Sequence, residues 1–415
     1  MANSALRSRN FVLLVLGQVT SLLGNLSLRF ALSMYILETT GSATLFSGLL
    51  ALSMVPTILL SPFGGMLADR ADRRKVMVAL DALSGLLVLL AGLALPLGSG
   101  IPAIAVLLFA LSVLAAFESP TVQACVPQML AGEALLRGNA IVSQVQAVAS
   151  LVTPFLGGLF YAAFGLRPVF AAAVLCFLLT ALLECFLRLA PPEAAEGPRG
   201  LRAIVREDLQ ASFRFLVREE PDILRLLLLA ALASLFVTGT AVVGLPYLVR
   251  TALGLSAELY GLAESALGVA AVLGGALVAA LAKRLRARHL AWVLTGVGLC
   301  LAPCGLVFLV PASALARYAV LVLLFCACQI GGSVFSTYAV TAIQRRTPAA
   351  LMGKVMACVS TLAMCAQPLG QIAYGALFDA FSARVALVFL PSALLVVCIG
   401  LASGRFFRRL DRANF

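Results

Sequence analysis

The chain contains the stretch Gly65-Met66-Leu67-Ala68-Asp69-Arg70-Ala71-Asp72-Arg73-Arg74-Lys75 between two long apolar segments. Six of these eleven residues carry a charge, and charged side chains are costly inside the hydrocarbon of a bilayer. The stretch therefore predicts a tight turn at a membrane surface. It also implies that each flanking apolar segment crosses the membrane.

The composition of the whole chain agrees with a membrane protein of many spans. Of the 415 residues, 62% are hydrophobic and 12% are charged, whereas soluble domains average about 25% charged residues. The net charge of +12 does not indicate nucleic-acid binding, because the Lys and Arg residues lie at the ends of apolar segments, where membrane orientation requires them. We find no catalytic constellation, phosphate-binding loop or metal-ligand set, so we expect neither enzyme activity nor a cofactor or metal.

Apolar segments of about 20 residues, the length needed to cross a bilayer, recur twelve times. The chain is thus predicted to be an all-α polytopic membrane protein. The predicted spans are 11–37, 44–67, 76–97, 101–124, 138–163, 168–188, 222–248, 257–282, 290–310, 315–340, 352–377 and 383–404.

The distribution of basic residues predicts the orientation of these spans. With both termini in the cytoplasm, 25 of the 30 Lys and Arg residues fall in inner segments and four in outer loops. Residues 1–190 then form an N-terminal six-helix half and residues 222–415 a C-terminal six-helix half. Between them, residues 191–221 are predicted to be a cytoplasmic linker with an amphipathic helix.

The charged stretch resembles the loop between the second and third helices of the major facilitator superfamily. Its Asp-Arg-x-Asp-Arg-Arg form, with Asp72 in place of the second glycine, is similar to the macrolide-efflux and siderophore-efflux branch. The resemblance implies a major facilitator fold of twelve helices in two halves. It also implies a conformational latch, in which Asp69 meets the N-terminus of helix eleven near Gly353. The latch residues are Gly65, Asp69, Arg70, Arg73 and Arg74.

A second resemblance lies in the fifth span, where Pro154, Gly157 and Gly158 match the P-x-x-G-G core of the superfamily's antiporter motif. Families with this motif are mostly exporters, so the resemblance favours export. Ordinary packing of small residues is the alternative explanation. The fourth span lacks the family's basic residue, which leaves a standard proton relay in doubt.

Ionisable side chains inside a membrane indicate functional sites. Arg29 lies in the first span, on one face with Gln18, Ser21 and Asn25, while Glu264 lies in the eighth. We expect Glu264 to carry a coupling proton or to pair with Arg29, with a structural ion pair as the alternative. The candidate cavity residues are Arg29, Glu264, Glu118, Gln18, Asn25 and Gln329, of which Glu118 is a second protonation candidate and Gln329 shares a face with Ser333 and Ser336.

Together these patterns predict a secondary active transporter that exports amphiphilic or hydrophobic, drug-like small molecules by alternating access in exchange for protons. The alternatives are a siderophore or lysophospholipid carrier, an uptake symporter, and a non-transporting membrane sensor on a transporter fold. We expect a monomer in the cell (inner) membrane, with the lipid bilayer, the small-molecule substrate and protons as its partners.

Overall fold

The computed structural model describes residues 6–95, 100–189, 215–281, 284–348 and 352–412. These residues contain no β-strand and form twelve long helices, so the predicted all-α architecture is confirmed. The helices are α1 (Arg9–Thr40), α2 (Ala43–Arg70), α3 (Arg73–Ala94), α4 (Gly100–Met129), α5 (Gly132–Phe164), α6 (Leu166–Cys185), α7 (Pro221–Ala252), α8 (Ala257–Leu281), α9 (Ala287–Leu306), α10 (Ala314–Arg346), α11 (Met352–Ala380) and α12 (Ala386–Arg412).

Each helix contains most of one predicted span. Over the described residues, all except α11 are long and apolar enough to cross a membrane. Short turns separate several of them, and two of these turns depend on glycine. Gly41 between α1 and α2, and Gly165 between α5 and α6, have φ angles of 63° and 75°. Backbone of this kind strains residues that carry a Cβ atom, so glycine permits both sharp reversals.

The chain folds into two compact units whose boundaries differ from the sequence halves at two helices. Unit 1 contains residues 1–40, 52–196 and 256–265, and unit 2 contains residues 41–51, 197–255 and 266–415. The first turns of α2 therefore belong with unit 2, and the first turns of α8 belong with unit 1. The predicted domain boundaries did not include this exchange.

Each unit has its own apolar core. In unit 1, Phe11, Met77, Val126 and Leu187 join α1, α3, α4 and the segment after α6. In unit 2, a larger cluster joins α7, α9, α10, α11 and α12 around the buried side chains of Leu226, Leu290, Phe335, Val355 and Phe407.

The predicted cytoplasmic linker lies mostly outside the described residues, and so does most of its amphipathic helix. Its last part is described as a π-helical turn at Phe215–Glu219. Leu216 in this turn is buried in the core of unit 2. The turn therefore anchors the start of α7, and the helical prediction for the preceding residues remains a prediction.

Candidate functional site

The predicted polar face of α1, which carries Gln18, Ser21, Asn25 and Arg29, contacts α4. The Arg29 Nε atom donates a hydrogen bond of 2.7 Å to the Asn25 Oδ1 atom, one turn earlier on the same helix. The guanidinium group also lies 3.5 Å from the Ser112 hydroxyl of α4. On the same face, one turn before Ser21, the buried Gln18 Oε1 atom has no hydrogen-bond partner among the described residues. These contacts fix the orientation of Arg29 within unit 1.

Glu264 interacts with Tyr260 and not with Arg29. It lies in the part of α8 that belongs to unit 1, where its carboxylate accepts a hydrogen bond from the Tyr260 hydroxyl. The Tyr260 ring stacks on Phe30 of α1, with ring centroids 5.0 Å apart. The expected ion pair of Arg29 with Glu264 is absent from the ion pairs of the described residues, and the functional roles of both remain predictions.

The antiporter-like motif packs α5 directly against α8 and α1. A Cβ atom at Gly158 would lie 2.8 Å from the carbonyl oxygen of Ala257, at the start of α8. One turn later, a Cβ atom at Gly261 would overlap the carbonyl oxygen of Pro154. Gly157 faces the α1 backbone at Ser27. The glycines on both helices thus allow contact between backbones.

In the charged stretch between α2 and α3, Asp72 caps a helix. The Asp72 carboxylate accepts a hydrogen bond of 3.3 Å from the backbone amide of Lys75, and Asp72 is the N-cap residue of α3. The Arg73 Nε atom donates a hydrogen bond of 2.6 Å to the carbonyl oxygen of Ala68, near the end of α2. The departure from glycine at position 72 therefore supplies a helix cap.

The contact that the predicted latch requires lies outside the described residues. The side chain of Asp69 and the surroundings of Gly353 are not described, so their contact stays a prediction. Arg70 and Arg74 are exposed, as expected for a loop at a membrane surface. Near the end of α2, a Cβ atom at Gly64 would overlap the Ala116 carbonyl oxygen of α4, so the two helices approach closely there. A Cβ atom at Gly65, the glycine of the predicted latch, would meet nothing within 4 Å.

Unit 2 contains a cavity of about 480 Å³ between α7, α8, α9, α10 and α11. Its walls are mostly Ala, Leu, Val and Phe side chains. The predicted polar face of α10 lines it, because Gln329, Ser333 and Ser336 all contribute to its surface. Its volume is in the range of drug-sized binding sites, and its apolar walls with a few polar groups are typical of them.

Asp379, at the end of α11, accepts three hydrogen bonds from the start of α2. The donors are the Ser42 hydroxyl at 2.6 Å and the backbone amides of Ala43 at 2.7 Å and Thr44 at 2.9 Å. The helices touch one turn earlier as well, where a Cβ atom at Gly375 would overlap the Ser47 side chain. We call this contact of Asp379 with residues 42–44 the Asp379 clasp. Sequence analysis missed it, although Ser42 before a new helix is a recognisable N-cap signal.

Three acidic side chains meet in unit 1, one each on α3, α4 and α6. They are Asp81, Glu118 and Glu184, which we call the acid trio. The Ser21 hydroxyl of α1 lies 3.3 Å from the Asp81 carboxyl and 3.2 Å from the Glu118 carboxyl. Asp81 also interacts with Glu184. The sequence identified Glu118 as a protonation candidate, and it gave no signal that the three acids converge.

Comparison with known proteins assigns the fold to a family. The Major Facilitator Superfamily profile matches residues 14–370 and 227–414. The chain belongs to the major facilitator superfamily. It is a multi-pass membrane transporter and not an enzyme. The predicted fold class and family are thereby confirmed.

Two relatives of the chain are named as efflux proteins. Macrolide efflux protein A of Streptococcus pyogenes is 26% identical over 221 residues, which cover 52% of this chain and 53% of that protein. This match spans about half the length of the relative. The multidrug efflux pump Tap of Mycobacterium tuberculosis is 29% identical over 398 residues, which cover 91% of this chain and 89% of the pump.

Solved structures of other transporters share the fold. A bacterial homologue of the iron transporter ferroportin superimposes with a TM-score of 0.73 at 19% identity, covering 95% of this chain and 98% of the homologue. A D-xylose-proton symporter superimposes with a TM-score of 0.69 at 15% identity, covering 96% of each chain. At these identities the likeness concerns the fold alone.

Proposed function

We propose that this transporter exports amphiphilic or hydrophobic, drug-like small molecules. The observation that carries the proposal is the cavity of about 480 Å³ in unit 2, with its apolar walls and the polar face of Gln329, Ser333 and Ser336. Such a cavity suits a largely apolar molecule with a few hydrogen-bonding groups. A sugar or nucleotide would need denser polar groups. The relatives named for macrolide and multidrug efflux support the same substrate class.

The mechanism we propose is alternating access driven by proton exchange, in a monomer whose termini face the cytoplasm. The motion would depend on α2 and α8, because each of these helices contributes residues to both units. Under the predicted orientation, the Asp379 clasp and the contact of Gly261 with Pro154 lie at the outer ends of their helices. The proposed latch at Asp69 would act at the opposite face.

Drug accumulation in cells tests the export function. The protein is expressed in a bacterial host that lacks its own drug exporters, and the uptake of a radiolabelled macrolide is followed with and without a protonophore. We expect lower accumulation in expressing cells and a rise when the protonophore is added. Ser333→Leu, which narrows the cavity, should weaken export, whereas the exposed change Glu258→Gln should not.

The same assay separates the alternatives. Equal accumulation in expressing and control cells across macrolides, cationic dyes and other drugs would reject drug export. The assay would then be repeated with siderophores and lysophospholipids. Accumulation above the control level would identify an uptake symporter. A chain that moves none of these compounds would fit a non-transporting sensor.

A further inference from the structure

The acid trio of unit 1 contains more hydrogen-bond acceptors than hydrogens if all three carboxyl groups are ionised. The Ser21 hydroxyl lies within hydrogen-bonding distance of Asp81 and of Glu118, yet it has one hydrogen to donate. Asp81 and Glu184 also interact directly, and an ionised carboxylate only accepts hydrogen bonds. When protons are bound to the trio, a protonated carboxyl group can donate the missing hydrogen to the contact between Asp81 and Glu184. A second one can do so for the Ser21 contact that the hydroxyl hydrogen does not serve.

The surroundings of the trio supply little compensation for negative charge. Asp81 and Glu184 are 1% and 4% exposed, and no Lys or Arg forms an ion pair with any of the three acids among the described residues. Among the described residues, the Cys125 thiol of α4 and the Cys185 thiol at the end of α6 interact electrostatically with Glu184. The Cys125 thiol also interacts electrostatically with Arg73.

Two buried carboxyl oxygens of the trio accept no hydrogen bond from the residues that the structure describes. The Oδ2 atom of Asp81 and the Oε2 atom of Glu184 are buried and lack a hydrogen bond within the described part of the chain. An unpaired ionised carboxylate in such a place would cost several kcal/mol or more, so the site must gain positive charge. A metal ion is not favoured, because the described residues include no group of three His, Cys, Asp or Glu side chains arranged to hold one.

We propose that Asp81, Glu118 and Glu184, together with the Ser21 hydroxyl, form a buried proton-binding site that exchanges protons during the transport cycle. The coupling part of this inference rests on the proposed function. Asp81 and Glu184 are 1% and 4% exposed, whereas Glu118 keeps more exposed surface, so we assign the exchange of protons with water to Glu118. The proton binds a carboxylate oxygen, and the resulting neutral carboxyl donates its O–H group to a neighbouring acceptor. Release returns the proton to water.

Infrared spectroscopy tests proton binding without any substrate. Purified full-length protein is titrated with protons from mildly acidic to alkaline pH, and the carbonyl band of protonated carboxyl groups is recorded. The variants Asp81→Asn, Glu118→Gln and Glu184→Gln each remove one acid, while Glu258→Gln removes an exposed one. We expect a protonated band at neutral pH that weakens in the trio variants and persists in Glu258→Gln.

An amide resembles a protonated carboxyl group in shape, so the trio variants should fold if the site is protonated. If instead the acids are ionised, any protonated band at neutral pH would come from other carboxyl groups such as Glu264. The band would then be equally strong in the wild type and in all three trio variants, which would overturn the proposal. Should one amide variant fail to fold, Ser21→Ala provides the check, because loss of the hydroxyl should shift the same band.

Coupling to transport needs a separate measurement in proteoliposomes. With a radiolabelled macrolide, Glu184→Gln should lose drug accumulation driven by a pH gradient and retain drug exchange down the drug's own gradient. Gradient-driven accumulation equal to the wild type would reject the coupling role. If the wild type itself moves no macrolide, the drug-export proposal fails, and the infrared titration still decides whether the trio binds protons.

Discussion

Removing the Asp379 carboxylate should loosen the start of α2. In the structure this group accepts hydrogen bonds from the Ser42 hydroxyl and from the amides of Ala43 and Thr44. Loss of an N-cap typically costs about 0.5–2 kcal/mol, and a hydrogen bond to a charged group contributes about 1.5–3 kcal/mol. Thr44 is exposed and its amide can turn to water, and the Ser42 oxygen still accepts from the Leu45 amide. We therefore expect Asp379→Ala to cost about 1–2 kcal/mol, or about 5- to 30-fold in the opening equilibrium.

Hydrogen–deuterium exchange measures this change directly. Peptides that contain the amides of Ala43 and Thr44 should exchange about 5- to 30-fold faster in Asp379→Ala than in the wild type. Asp379→Asn retains one acceptor oxygen and should give a smaller increase. The matched control is Glu258→Gln, which removes an exposed acid from the first turn of α8. Unchanged exchange at residues 42–44 in Asp379→Ala would refute the clasp.

The clasp should also persist over a wide pH range. Partial burial alone would raise the pKa of Asp379, but the hydrogen bonds from residues 42–44 outweigh it and hold the pKa below the ordinary value of 3.8. A lowered pKa means that the stabilisation is fully present above 3.8 and is lost as the pH falls through the lowered pKa. After correction for the intrinsic rate, exchange at these amides should be constant from neutral pH down to about pH 5. A rise in exchange between pH 7 and about pH 5 would contradict this.

Three further substitutions test the other contacts. Gly261→Ala should lower the free energy of unfolding by about 1–3 kcal/mol, because the added methyl group meets the Pro154 carbonyl oxygen. The control Gly296→Ala places its methyl group in open space and should leave the free energy of unfolding unchanged or raise it. Asp69→Asn should slow transport and shift the protein toward inward-open, seen as greater cytoplasmic accessibility in cysteine labelling; wild-type transport and labelling would reject the latch. Glu264→Gln should abolish proton-driven drug accumulation while leaving expression intact, and a normal pH dependence in the surviving protein would exclude a coupling role.

The fold could be predicted from the sequence because membrane insertion acts on local patterns. The twelve apolar segments and the charged stretch around Asp69 needed no knowledge of tertiary structure, and the helices follow them closely. The polar face of Gln329, Ser333 and Ser336 was predictable for the same reason, since helical periodicity places these residues together.

The contacts between helices could not be predicted in this way. Asp81, Glu118 and Glu184 are far apart in the sequence, and the position of an acid along a helix does not show which neighbour it faces. Sequence analysis therefore singled out Glu118 and not Asp81 or Glu184. It also joined Arg29 to Glu264 by depth alone, whereas packing gives Glu264 a closer partner in Tyr260.

We propose that a proton gradient drives export of a drug-like molecule by this protein. The most direct measurement uses purified protein in liposomes with an imposed pH gradient and records radiolabelled macrolide and internal pH in the same vesicles. We predict that the macrolide accumulates only while the gradient lasts, that protons move in the opposite direction, and that a protonophore abolishes both fluxes. Drug accumulation that is equal with and without the gradient, or proton movement that does not respond to the drug, would contradict the claim.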